Sequence, residues 1–242
     1  MILSQNSFLR SPPTVVLPKQ VVTFNAIRYS IDICDISYQR LIENLSQLTD
    51  KETINSYDFP IIFLDVWSIV NNSVVFKKII CREFNLKNDE PYFQEINKAK
   101  EMRDSNQHID ERLSQVLSKK DFPVYGALSW KKIFPKTANS IISSIHSGTF
   151  TNKSSAGVQI SNQNKEELNE NIQKIELTSV IREGKKGAYT FRQEQVLINS
   201  IIQELKWWTN HFDEQIEEQM KGKDISEKHL SDLIIKIPTL RV

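Results

Sequence analysis

The sequence predicts an α+β fold, mainly α: a bundle of four long helices with a small antiparallel β-sheet inserted between the third and fourth. Three long stretches place their apolar residues on one helical face, and a fourth is apolar on nearly every side, as a buried central helix is. Between Asp121 and Arg192 that rhythm gives way to short runs rich in β-formers, several bounded by glycine or lysine turns. The chain of 242 residues, 39% hydrophobic and 25% charged, is long and apolar enough to bury a core. Separate α and β domains are the rival arrangement.

Residues 1–23 read as an extended segment: Arg10 and two prolines follow a weakly apolar start, with no signal-peptide core. Residues 24–120 hold three helices. The first, 24–48, aligns Phe24, Ile27, Ile31, Cys34, Tyr38, Leu41, Leu45 and Leu48 on one stripe. The second, 60–83, is apolar on nearly every side and is therefore expected at the centre, with Asp58 as N-cap and Pro60 in the first turn. The third, 91–118, places Ile96, Ala99, Met102, Ile109, Leu113 and Val116 in one sector at about 100° per residue. Residues 121–192 form the β-rich insertion. Strands are expected at 124–130, 140–145, 172–181 and 188–191, with a hairpin loop at 182–187 and a polar, mobile loop at 151–171. Residues 193–242 complete the bundle: a helix over 193–220 on Ile198, Ile201, Leu205, Trp208 and Phe212, a short amphipathic turn near 230–235, and a tail.

Bulk chemistry excludes several function classes. Lys and Arg number 31 against 30 acidic residues, so no global basic field points to nucleic acid or membrane. The apolar run 61–70 contains Asp65 and is too short to cross a bilayer; a soluble, cytoplasmic protein without membrane partners is expected. Cys34 and Cys81 lie in apolar helical stretches and read as reduced, buried thiols. Six glycines supply neither a Walker loop nor a dinucleotide fingerprint, and four scattered histidines build no zinc motif, so no metal or cofactor is expected.

Chemistry concentrates on the polar side of the third helix. Arg103, Asp104, Gln107, His108 and Glu111 fall opposite its apolar stripe. Two readings stand side by side. The pairs Arg103/Gln107 and Asp104/His108 suit an ordinary solvated face. Alternatively, a guanidinium that forks onto phosphate, and an imidazole that exchanges protons near neutrality, make a catalytic pair. Asp104 or Glu111 then orients the ring.

The run Arg103-Asp-Ser-Asn106-Gln107-His108 resembles the arginine-spacer-histidine motif of the HEPN superfamily (higher eukaryotes and prokaryotes nucleotide-binding domains), with Asp104 in the polar slot after the arginine. That slot is more often asparagine, and the motif commonly opens the last bundle helix rather than preceding a β-rich insertion. Segments 63–67, 107–110 and 124–130 are also similar to an uncharacterised bacterial family, which carries no functional implication. The HEPN resemblance implies a metal-independent endoribonuclease, acting as toxin or antiphage effector. Its homodimer joins two Arg103/His108 faces around RNA, and a regulatory or neutralising protein is a further partner. His108 and Arg103 are the implied catalytic residues, with Asp104, Asn106, Gln107, Glu111 and Asp65 in support. A non-catalytic binding protein, or the regulatory subunit of a defence system, is the alternative.

Other residues have competing readings. Asp65, inside an apolar run, needs a partner: Arg28, Arg103 or a backbone donor serves, as a purely structural pair or, through Arg103, to position the catalytic arginine. Asn71 and Asn72 mark a polar edge or a cleft. Trp208 lies on the core stripe and Trp207 off it, where it packs at an interface or stacks a base. Lys185, Lys186 and Tyr189 form a solvated hairpin tip or an RNA contact, and His211 borders the last helix's apolar stripe.

Overall fold

A computed structural model describes residues 1–50, 58–114, 122–134, 139–148, 172–184 and 189–234. The expected loop 151–171, Lys185, Lys186, the end of the third helical stretch and the last eight residues lie outside them.

Helix α1, Pro18–Asp50, starts earlier than its stripe suggests. Pro18 occupies the first turn, and Gln20 Oε1 accepts the Leu17 N–H at 3.3 Å, half of a capping box. Ile27, Ile31, Cys34, Leu41 and Leu45 are fully buried along it. Helix α2, Asp58–Glu83, packs along α1 and buries Ile62, Val66, Ile69, Val70, Val74, Phe76 and Ile80 completely. It ends where Asn85 turns left-handed (φ 54°) and the Leu86 N–H returns to the Cys81 carbonyl at 3.1 Å. The stretch Phe59–Glu83 is long and apolar enough to span a bilayer, yet 56% of that window is buried inside the protein. Both cysteines are free thiols, Cys34 buried and Cys81 partly so; burial raises both thiol pKa values.

Helix α3 is Gln94–Asn106, and α4 (Ile109–Arg112), continued in π-helical form at Leu113 and Ser114, follows it. The continuous helix expected over 91–118 is thus broken at Gln107 and His108. Its start also moves inward, because Tyr92 is left-handed (φ 66°), stacked on Trp207 at 4.0 Å, with its carbonyl accepting the Trp208 indole N–H at 3.0 Å.

The sheet comprises β1 (Ala127–Phe134), β2 (Asn139–His146), β3 (Ile172–Glu183) and β4 (Thr190–Leu197), antiparallel in the order β2-β1-β3-β4. β1 sits on the end of α1: Trp130 Nε1 donates to Thr49 Oγ1 at 2.9 Å, and buried Lys132 reaches Asp50 at 2.6 Å. A cation there also complements the negative helix end. β4 runs straight into α5 (Ile198–Met220), so 193–197, expected as helix, is strand. Pairing of Gln193 to Val180 through Leu197 to Glu176 overrides local helix propensity.

The N-terminal segment is not merely extended. Ile2, Leu3, Leu9 and Val16 enter the same core as the helices and sheet. Ser7 donates to Asp213 of α5 at 2.6 Å, and Arg10 grips Asp32 of α1 at 2.6 and 2.9 Å. The segment after α5 bridges back at Pro13 and Lys228 and passes α1, where Asp232 accepts from Arg28 and Tyr29. No amphipathic turn forms at 230–234; Leu230, Leu233 and Ile234 are exposed.

The start of α3 is capped from a distance. Glu204 of α5, 8% exposed, accepts the backbone N–H groups of Glu95 and Ile96 at 2.9 and 3.0 Å. Burial raises the Glu204 pKa, and the amide donors only partly offset it. A raised folded value favours the protonated form in the native state. That contribution is full below the ordinary glutamate range and is lost as pH rises through the folded value. Urea titrations should therefore show the wild type losing stability relative to Glu204→Gln across that window. At neutral pH, Glu204→Ala should cost about 1–2 kcal/mol through two uncapped amides.

Candidate functional site

The break in the third helical stretch is built by what lies beneath it. On a continuous helix Leu113 points to the core. Instead Leu113 is 44% exposed and Arg112 is buried, 1% exposed. Ser105 Oγ donates to the Val180 carbonyl of β3 at 3.0 Å, and Arg112 Nη1 donates to the same carbonyl and to Ser105 Oγ at 3.1 Å. β1 ends opposite Thr178, so the edge of β3 is open at Val180 and takes these donors. The helix rotates after Asn106 to deliver Arg112 to that carbonyl, and His108 becomes the N-cap residue of α4 (φ −114°, ψ 36°).

His108 stands in solvent at 51% side-chain exposure, with Nδ1 3.9 Å from Glu111 Oε1. The other Glu111 oxygen receives Arg182 Nη1 of β3 at 2.5 Å. Arg182 lies over the Tyr189 ring, 4.2 Å from its centroid. A carboxylate thus sits between a fixed guanidinium and the imidazole, one turn from it. Among the described residues no protein group bonds His108 Nε2. Arg103, 18% exposed at the side chain, touches Asp104 at 3.3 Å, and Asp104 also meets Lys100 at 3.3 Å. No hydrogen bond or ion pair joins Arg103 to His108. Arg103 precedes the break and His108 lies in it. Gln107 is exposed, with its N–H on the Arg103 carbonyl at 3.0 Å; Asn106 is half-buried, its Oδ1 buried without a partner.

One expectation needs correction. Asp65 pairs with neither Arg28 nor Arg103: Arg40 Nε lies 3.2 Å from both of its oxygens and Arg40 Nη2 closes the fork, while Arg28 holds Asp232. Asp65 therefore does not position Arg103. Trp207, off the core stripe as expected, is 36% exposed and stacks on Tyr92 and His211, at 4.0 and 5.2 Å. Sequence reasoning missed Arg182 and Arg112. Arg182 was signalled only as the first residue of a hairpin turn, and Arg112 stood among the charged residues of a helix expected to be straight. A cavity of about 400 Å³ on the outer face of the sheet, lined by Phe122, Pro123, Ala127, Ser129, His146 and Thr178 among others, includes none of the candidate residues. Among the described residues, no group of three His, Cys, Asp or Glu could hold a metal ion.

No protein-family model, curated protein or solved structure matches the chain.

The Arg40–Asp65 pair is asymmetric: Asp65 is fully buried and Arg40 is 51% exposed. Arg40→Met should cost about 3 kcal/mol, because it strands a buried carboxylate. Asp65→Asn leaves a cation that water solvates and should cost about 1 kcal/mol. Urea unfolding of the two variants checks the order.

Proposed function

We propose that this protein is a HEPN-like, metal-independent endoribonuclease whose centre is the surface around His108. One observation carries the reading. An exposed imidazole faces a carboxylate that an arginine holds, and a second arginine, Arg103, lies five residues earlier in the chain. Glu111, fixed by Arg182, orients the ring through Nδ1 and leaves Nε2 to exchange a proton with substrate.

In the reaction, the ribose 2′-oxygen attacks the adjacent phosphorus as His108 takes its proton. The bond from phosphorus to the 5′-oxygen breaks, and a second proton goes to that leaving oxygen. The products are a 2′,3′-cyclic phosphate and a 5′-hydroxyl. Arg103 stabilises the charge that builds on the phosphoryl oxygens. One imidazole cannot serve both oxygens at once, so a homodimer brings a second His108, one base and one acid. The openness of His108, Glu111 and Asp104, each about half exposed, leaves room for the mate and for RNA. The resemblance supplies the setting: a cytoplasmic toxin or antiphage effector, held in check by a neutralising or regulatory partner.

Purified protein should cut single-stranded RNA in the presence of a chelator and leave the matching DNA intact. His108→Ala should slow cleavage by about 10²–10⁴, and Arg103→Ala by about 10². Equal cleavage by both variants and the wild type rules the centre out. A second reading, a binding or regulatory protein without catalysis, has its own support. Val22, Tyr29, Ile33 and Ile36 are exposed on α1 at 69, 53, 38 and 58%, spaced as a second stripe suited to a protein partner. Absence of cleavage together with stable capture of a defined protein partner favours that reading.

A further inference from the structure

Arg112 combines deep burial with incomplete partnering. Its side chain is 1% exposed, and Nη1 is committed to the Val180 carbonyl and Ser105 Oγ. Nε and Nη2 are buried without a hydrogen-bond partner. Among the described residues no carboxylate stands within ion-pair distance of it. A guanidinium does not shed its proton to escape such a site. Burial and the nearby charge of Arg182 both push its pKa down, so two cations lie close together with no anion on the inner one. Glu111, the carboxylate next to Arg112 in sequence, is turned outward to Arg182 and His108.

The two idle donors have a particular geometry. Nε–H and one Nη2–H point the same way along one edge of the planar group, and this edge matches two oxygens of a phosphate or similar oxyanion. With Nη1 pinned to β3, the fork is held at a fixed angle. We propose that this edge of Arg112, backed by Arg182, is a seat for a phosphate-type oxyanion that enters where α4 meets the open edge of β3. Entry requires α4 to lift. In that element Ile109–Arg112 are α-helical, and Leu113 and Ser114, both exposed, continue it in π-helical form. The seat does not depend on the cleavage reading; it takes any ligand presenting a free phosphate or a phosphodiester.

The test uses the full chain and inorganic phosphate as the probe. Thermal unfolding and calorimetric titration are run against sodium chloride at matched ionic strength. The wild type should show a saturable rise in melting temperature with phosphate. Arg112→Met, close in length and uncharged, should melt no lower than the wild type in chloride and lose the phosphate-dependent rise. Arg112→Lys should weaken binding about tenfold, since an ammonium lacks the planar fork. Arg182→Ala should weaken it severalfold, and this variant keeps the test decisive should Arg112→Met fail to fold. No rise beyond chloride, an equal rise in Arg112→Met, or unchanged affinity in Arg182→Ala overturns the proposal. Competition by a DNA oligonucleotide lacking terminal phosphates identifies the ligand as backbone phosphodiester; competition by a phosphate monoester alone identifies a small metabolite. His108→Ala, which tests cleavage, should bind phosphate like the wild type, so the two ideas fail separately.

Discussion

A helix that is apolar on nearly every side has to be surrounded, and α2 imposes that demand on everything else. Ile62, Val66, Ile69, Val70, Val74, Phe76 and Ile80 are all fully buried, which one neighbouring helix cannot achieve. α1 covers one side, α3 and α5 cover others, and the sheet packs on α1, α3 and α5. At about 25 cal/mol per Å² of apolar surface removed from water, this enclosure dominates the folding free energy. The polar exceptions are matched individually. Asp65 receives Arg40 from α1, and buried Lys77 reaches the Asn88 carbonyl and the Asn97 side chain while lying over the Phe93 ring at 4.9 Å. Each ties α2 to a neighbour at one register.

The same enclosure explains the broken third helix. α3 packs against α2, α5 and the β3–β4 pair at once, its sheet contacts running from Glu95, which accepts the Leu197 N–H, to Ser105 at its end. There the open carbonyl of Val180 offers better hydrogen bonding to Ser105 and Arg112 than a continuous helix offers its own side chains. A further helical turn without the break keeps Leu113 inward and carries Arg112 away from β3. The chain gives up a regular turn near residue 107 and gains two charge-assisted or buried hydrogen bonds to the sheet.

That competition separates what was legible in the sequence from what was not. Ile27, Ile31, Cys34, Leu41 and Leu45 of α1 lie where a 3.6-residue period puts them, since a long amphipathic helix answers to local spacing. The central place of α2 followed from its composition, and the need of Asp65 for a partner followed from electrostatics. Which cation was not readable: Arg28, Arg40 and Arg103 all satisfy the chemistry, and only tertiary register selects Arg40. The break escaped notice because its cause, Val180, lies 75 residues from Ser105 and 68 from Arg112. Strand character at 193–197 was hidden similarly, since Gln193 to Leu197 pair with β3 residues in sequence-distant register. Arg103 meets Asp104 on one side of the break and His108 faces Glu111 on the other, and the helical wheel that grouped all four stops at Asn106.

The break alters how the proposed centre must work. A histidine in the middle of an α-helix has its Cα direction set by the hydrogen-bonded ladder, whereas His108 sits between two helical pieces with non-helical dihedrals. Its orientation rests on the turn that α4 makes, through the Arg112 N–H on the His108 carbonyl at 3.2 Å, and on Glu111. Glu111 in turn is fixed by Arg182, on the strand whose Val180 carbonyl fixes Arg112. Imidazole position is thus a property of how α4 seats on β3, not of α3 alone. At 3.9 Å the Nδ1–Glu111 contact is longer than a hydrogen bond, so a small shift of α4 closes or opens it. Any ligand or partner that moves α4 changes the orientation of His108 relative to Arg103, which stays anchored on the other side of the break.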